Sequence, residues 1–416
     1  MNGTQKRLLP MIFHSNFLLK ASLFTVLCLT TIPVFGQNKD FDWKTIFQEL
    51  PAPMQKYVTN TSTYKTQIIY TQIDRDTNNV PSFHTYTYGD LSTPFYPASV
   101  VKLPTAMLAL EKLNELQQST TSYIKYKPLP CANYTNNTSI YHKIQENQDA
   151  EEIAMLYNVP VHKVKIMSPK YAKLEENRLE NIEDIMSKML IYSNNVAYCK
   201  MYDFVGQKKL IQRLQDKKYN TIVKHRFASC SPEENKSTSG FWLLDDNFNT
   251  LYEQESLYND SIVPEGKNKV PLPDLHRMVQ TIVFPESFAD STKFNLTPAN
   301  YDLLRTYLAM RPSDHTTFRD SEYANVPDNM TNYFVVGVNN TIPASKVKIY
   351  NIVGRAYNYL IDCAYIIDWE NNTEFMLSAV VYAGEAMPYM EKLGRIFLDY
   401  EKNRNYKIQP DLSLFR

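Results

Sequence analysis

Lysine and arginine total 44 across 416 residues, and aspartate and glutamate total 44, so no net field gathers nucleic acid or an anionic membrane. The length allows a large core and two or three domains, with one interwoven catalytic unit as an equal alternative. Ten glycines against thirty tyrosines and twenty phenylalanines exclude a disordered chain and point to an aromatic-rich core that serves a small or neutral partner.

Lys6, Arg7 and Lys20 precede the apolar run Ala21–Phe35, and small Gly36 then meets polar Gln37. This pattern reads as a secretory signal peptide over residues 1–36, which places the mature chain in the periplasm or outside the cell. The sixteen residues from Ala21 to Gly36 include Pro33 and are short for a membrane span, and no later run approaches that length. Cys28 follows bulky Leu27, which disfavours lipid attachment there. Cys131, Cys199, Cys230 and Cys363 remain after cleavage, none in Cys-x-x-Cys spacing. Three disulfide pairings stay open, and buried free thiols are the simpler expectation.

Tyr64–Ile73 is rich in β-formers, Asn78-Asn79 marks a turn and Ser82–Tyr88 alternates again, which predicts a hairpin. From Ser99 the pattern changes to Val100, Val101, Leu103, Met107, Leu108, Leu110 and Leu113, a helical spacing too apolar for an exposed element. A central helix follows from that. Ile182–Phe204 and Pro273–Val283 continue the helical reading among polar, proline-bearing loops. Val347–Gly354, Tyr357–Trp369 and Glu374–Tyr382 are three strands, with a turn at Glu370-Asn371-Asn372, and Met387–Tyr400 is a closing helix. The expected fold is α+β, with one antiparallel sheet built from both ends of the chain and flanked by helices. Residues 37–416 then form a single unit, its sheet part at about 40–98 and 331–416 and a mostly helical lobe at about 99–330.

Residues three apart on a helix share a face, so Ser-x-x-Lys can place an amine against a hydroxyl, and a desolvated lysine can accept the serine's proton. The spacing occurs four times, as Ser62/Lys65, Ser99/Lys102, Ser122/Lys125 and Ser345/Lys348. Context separates them. Ser62 opens a predicted strand, Ser122 lies in a polar Ser-Thr-Thr-Ser stretch, and Ser345 follows Pro343 in a loop. Only Ser99 heads an apolar helix, behind Pro97, where backbone N–H groups and the positive end of the helix dipole can hold an oxyanion. A helix-capping serine with a surface lysine is the bland alternative.

The run Tyr96-Pro-Ala-Ser-Val-Val-Lys-Leu-Pro-Thr-Ala-Met-Leu-Ala-Leu-Glu111 resembles the active-serine helix of the class A β-lactamase and penicillin-recognising serine hydrolase superfamily. The order of hairpin, helical lobe, three strands and final helix is similar too. The resemblance implies a second element, Ser-x-Asn, in which the serine relays a proton and the asparagine contacts the substrate amide. Tyr192-Ser-Asn-Asn195 matches it with Ser193 and Asn195, while Asn194 stands where aspartate is frequent. The longer separation from Ser99 implies an insertion around Pro128–Pro160.

A third element implied by the resemblance is a strand with Lys-Thr/Ser-Gly, whose lysine draws the substrate carboxylate and whose glycine lets substrate lie on the strand edge. Lys348-Ile-Tyr supplies the lysine without the glycine; Ile352-Val-Gly354 supplies the glycine with isoleucine for the lysine. The second register is preferred, because Gly354-Arg-Ala-Tyr-Asn resembles the family's turn. Lys348 then lies roughly 13 Å from Ile352 at about 3.3 Å per residue, and Arg355 is expected on the opposite strand face from Ile352. In this register the backbone N–H groups of Ser99 and Arg355 form the oxyanion hole, and Gly354 and Arg355 join Asn195 as substrate-binding residues. The family's water-activating glutamate falls in the interval of Ser231-Pro-Glu-Glu-Asn235, which makes Glu233 or Glu234 its candidate and a solvated acidic loop the alternative.

There is no His-x-His, no His-Glu-x-x-His and no phosphate-cradling glycine loop, so neither a metal nor a cofactor is implied. The chain therefore reads as an exported serine hydrolase acting through an acyl-enzyme. Its substrate is a β-lactam, a peptidoglycan D-Ala-D-Ala stem or a related ester or amide. A peptidase-like enzyme, or a non-catalytic binding protein on the same fold, is the alternative.

Overall fold

Near-continuous burial along Gln67–Arg75 and the three C-terminal strands gives these strands two buried faces, which helices must cover, while Pro81–Tyr88 is only partly buried. The computed structural model describes residues 41–127, 140–143, 148–156, 161, 164–168, 171–174, 179–226, 236–258, 267–315, 323, 325–339, 342–404 and 412. The expected leader, the candidates Glu233 and Glu234, and Cys131 and Cys230 lie outside the described residues. Strands β1 (Gln67–Arg75) and β2 (Pro81–Tyr88) form the predicted hairpin. Its turn is an Asx turn, in which Asp76 Oδ1 accepts from the N–H groups of Asn78 and Val80. A 3-10 turn at Ala98–Val101 runs into α1 (Lys102–Glu115).

The helix expected over Ile182–Phe204 is two helices, α2 (Ile182–Ile191) and α3 (Asn195–Val205). The break falls at Tyr192–Asn194, where Ser193 takes a left-handed φ of 54° and the Asn194 carboxamide accepts from Ala197 N at 2.8 Å to cap α3. Helices α4 (Leu272–Val283), α5 (Pro298–Ala309) and α6 (Tyr333–Asn339) follow. The middle also holds more strand than a helical reading predicts. Tyr123–Tyr126, Leu179–Asn181, Phe241–Leu244 and Thr250–Gln254 make a four-stranded sheet, and Ile140–Lys143, Val164–Ser168 and Tyr171–Leu174 make a three-stranded one.

The last three strands, which we label β3 (Val347–Ala356), β4 (Tyr359–Asp368) and β5 (Thr373–Tyr382), precede α7 (Met387–Lys402). They join the hairpin in one antiparallel sheet of order β3-β4-β5-β1-β2, and Gln67 opposite Val380 ties the two ends of the chain together. Ile69, Ile361, Cys363, Tyr365 and Met376 face the lobe that contains α1, α3 and α4. Ile68, Tyr70, Ala364, Ile366 and Leu377 face α6 and α7, where Leu393 and Phe397 cover them. Each such side chain contributes about 1.5–3 kcal/mol by leaving water.

Helix α1 is buried from Lys102 through Leu113, so even its polar residues need partners. Glu111 takes Arg213 at 3.0 Å and Lys217 at 3.2 Å, and Lys112 donates to Gln254 Oε1 at 2.7 Å and to the Phe204 carbonyl. Buried on every side, the helix is fixed in register, and Lys102 at its head is held in one place.

Candidate active site

The four Ser-x-x-Lys pairs separate cleanly in three dimensions. Ser62 sits in a short helical turn, Thr61–Tyr64, where a strand was expected, because Asn60 turns the chain and Ser62 Oγ bonds its Oδ1. Its partner Lys65 turns away to Tyr359 Oη at 3.4 Å. Lys125 lies on a strand and Lys348 opens β3, and neither is hydrogen-bonded to its serine. At Ser99/Lys102 the pair is made, with Lys102 Nζ 2.9 Å from Ser99 Oγ.

Lys102 Nζ also lies 2.9 Å from Ser193 Oγ, 2.9 Å from Asn195 Oδ1 and within hydrogen-bond distance of the Ser193 carbonyl oxygen. The side chain is fully buried, and that desolvation lowers its pKa from 10.5 to about 7, against a small opposing effect of Cys199. A neutral amine has two N–H groups and one lone pair. The Ser193 carbonyl and Asn195 Oδ1 can only accept, so they take the two N–H groups. The lone pair is left for a hydroxyl, Ser99 or Ser193. This arrangement is that of a general base beside a nucleophile and a second hydroxyl.

Backbone geometry supports it. Ala98, just before the nucleophile candidate, has φ 48°, and Ser193 has φ 54°; a left-handed non-glycine residue costs about 1–2 kcal/mol. Both outliers adjoin the reactive hydroxyls, where the surrounding packing holds the strain. Ser99, Ser193 and Asn195 line an open cleft of about 710 Å³ together with Tyr192, Asn194, Tyr323, Tyr333, Val353 and Arg355.

The register expected for β3 holds at the contacts. Ile352 is buried against the lobe, and Lys348 borders a different cavity. Gly354 stands where a Cβ would come within 2.6 Å of the Pro97 carbonyl oxygen and 3.2 Å of Val100 Cγ1. It permits close approach of the turn carrying Ser99 to the strand, and Val353 and Arg355 rather than Gly354 line the cleft. Arg355 does lie on the opposite face from Ile352, and that face opens to the cleft at the edge of the sheet, so the site has a cation that the missing strand lysine did not promise. Its guanidinium reaches the Gly384 carbonyl at 3.5 Å.

Three contributors escaped the sequence. Tyr192 and Tyr323 stack with ring centroids 4.4 Å apart, Tyr192 Oη is 2.9 Å from His315 Nδ1, and Asn194 Nδ2 donates to Tyr323 Oη at 2.7 Å. Both neighbours of Ser193 are thereby pinned. Burial lowers the His315 pKa to about 4, so its ring is neutral near pH 7. Tyr192 is visible as the residue before Ser193, but nothing in the sequence links it to positions more than a hundred residues on. Cys199 and Cys363 are buried, and Ser378 Oγ donates to Cys363 Sγ at 2.8 Å.

Comparison with known proteins follows the same line. Residues 54–251 match the model of a family described as the β-lactamase enzyme family. The fold is similar to the crystal structure of a β-lactamase from Sphaerobacter thermophilus DSM 20745, with TM-score 0.50 and 10% identity over 88% of this chain and 100% of that one. PBP-A has TM-score 0.49 and 12% identity over 86% of this chain and 96% of that one. A class A β-lactamase representative from Bacteroides cellulosilyticus DSM 14838 has TM-score 0.42 and 10% identity over 86% and 99%. No curated protein matches the sequence.

Proposed function

We propose that the chain, whose residues 54–251 match the β-lactamase enzyme family, is an exported serine hydrolase that forms an acyl-enzyme on Ser99. The observation that carries the reading is the buried Lys102 amine, 2.9 Å from both Ser99 Oγ and Ser193 Oγ. Neutral Lys102 takes the Ser99 hydroxyl proton as Oγ attacks the substrate carbonyl. The oxyanion forms beside the backbone N–H groups of Ser99 and Arg355. Lys102 returns the proton through Ser193 to the leaving nitrogen or oxygen as the acyl bond breaks. Water then hydrolyses the Ser99 ester, releasing the acid and restoring the hydroxyl. Asn195 gives Oδ1 to Lys102, which leaves its Nδ2 for the substrate carbonyl or amide. The Arg355 side chain supplies the cleft with a charge for an anionic substrate group.

The substrate class is a β-lactam or a related ester or amide, and the setting is the periplasm or the exterior. The second reading is a D-Ala-D-Ala peptidase-like enzyme with a long-lived ester on Ser99. Turnover of a chromogenic cephalosporin by wild type and Ser99→Ala decides between them. Sustained hydrolysis lost in Ser99→Ala supports the β-lactamase reading, and a single stoichiometric burst supports the peptidase-like one. Equal, slow hydrolysis by both proteins removes Ser99 from the chemistry.

A further inference from the structure

A second cavity, about 240 Å³, opens between the end of α5, the start of α6 and the start of β3, and Asn332, Lys348, Trp369, Arg311 and Asp314 are among its lining residues. Its hydrogen-bonding groups are unbalanced. Lys348 is half-buried, and its ammonium has no hydrogen-bond or ion-pair partner among the described residues; it lies over the Tyr350 ring, 5.4 Å from the centroid. Burial without a counter-ion lowers its pKa. The Trp369 indole N–H is buried and finds no acceptor, at a cost of about 1–3 kcal/mol.

Asn332 sharpens the chemistry. It is 5% exposed, and its Oδ1 accepts from Val335 N at 3.2 Å at the first turn of α6, which fixes the carboxamide orientation. Its NH₂ group therefore remains, without a partner among the described residues, on the wall of the cavity. The carboxylate among its lining residues is engaged. Asp314 is held by the Arg311 fork at 2.7 and 2.8 Å and by the Arg311 backbone N–H at 3.3 Å. An ammonium and a carboxamide NH₂ thus border one cavity whose carboxylate is already neutralised, and Trp369, whose buried indole N–H has no acceptor, is among its lining residues.

We propose that this cavity is a second, non-catalytic site for a compact oxyanion, a carboxylate or a phosphate. Such a ligand supplies the acceptors that the wall lacks and the counter-charge that Lys348 lacks. The site does not depend on the chemistry at Ser99, although Thr331 and Tyr333, on either side of Asn332, line the catalytic cleft.

The chain has three tryptophans, so indole ¹⁵N–¹H spectra of the whole protein give three resonances, and Trp369→Phe assigns the relevant one. Titration with sodium malonate or sodium phosphate at fixed ionic strength is expected to shift the Trp369 resonance saturably and leave those of Trp43 and Trp242 in place. The anion that saturates at lower concentration identifies the ligand class. Lys348→Met is expected to weaken the midpoint at least tenfold. Asn332→Asp keeps the acceptor for Val335 N and replaces the donor with a negative charge, so it is expected to abolish the shift while the other two indoles report an intact fold. A shift that never saturates with either anion, that all three indoles share, or that survives both substitutions overturns the proposal.

Discussion

If Lys102 is the base, the rate at which a serine-reactive probe labels Ser99 must follow the neutral fraction of one amine. With its pKa lowered from 10.5 to about 7 by burial, that amine is about half neutral at pH 7, whereas an unperturbed lysine is neutral about once in three thousand molecules. The sign follows directly: protonation removes the base, so labelling falls as pH falls. From pH 7 to pH 5 the neutral fraction drops from about one half to about one hundredth, an expected loss of roughly fifty-fold, and above pH 7 the rate gains only a further factor of about two. The assay is quenched labelling by a fluorophosphonate, read by intact mass from pH 5 to 9. Lys102→Arg keeps a permanent charge and should be slow and flat throughout. Lys200 is also buried with a pKa lowered to about 7, so Lys200→Met must keep the wild-type midpoint. A flat wild-type profile, or a midpoint carried by Lys200, refutes the reasoning.

Tyr323→Phe removes the hydroxyl that accepts from Asn194 and keeps the ring on Tyr192; a hydrogen bond of about 0.5–1.5 kcal/mol predicts roughly two- to twelve-fold slower labelling with the pH midpoint unmoved. Gly354→Ala forces a Cβ to within 2.6 Å of the Pro97 carbonyl, so the melting temperature should fall by the equivalent of about 1–3 kcal/mol and labelling should drop with it. Ile352→Lys buries an unpaired ammonium on the strand face turned away from the cleft-lining Val353 and Arg355, so the melting temperature should fall and acylation by penicillin should not exceed that of wild type. Lys102, Lys112 and Lys200 are held near 7 by burial and return to 10.5 on unfolding, so the unfolded chain binds more protons between those values. Their contribution to stability therefore grows as pH rises from 7, and the urea midpoint should be higher at pH 9 than at pH 7.

The terminal sheet was legible because its strands are rich in β-formers and end at marked turns, whereas the register that sets Gln67 opposite Val380 had no signal in the sequence. The nucleophile candidate was legible because its helix is too apolar for an exposed element, which a capping serine on a surface helix would not require. The chain break at Tyr192–Asn194 was hidden by apolar residues that continue in helical spacing across it, and only the Ser-x-Asn resemblance marked a loop there. Strands of the middle lobe are short, and their pairing is fixed by partners far along the chain. Tyr323 and His315 carry no local pattern at all. Arg355 was read correctly as facing away from Ile352, but that this face forms the cleft depends on β3 being the edge strand, a property of the whole sheet.

The central claim, that Ser99 is acylated through Lys102, is tested most directly by intact mass and peptide mapping after incubation with a penicillin and, separately, a fluorophosphonate. The account predicts one adduct per chain from the fluorophosphonate and an ester with the penicillin, both on the peptide containing Ser99, and neither in Ser99→Ala or Lys102→Met. Unmodified wild-type protein with both reagents, or adducts that persist in Ser99→Ala, would contradict it.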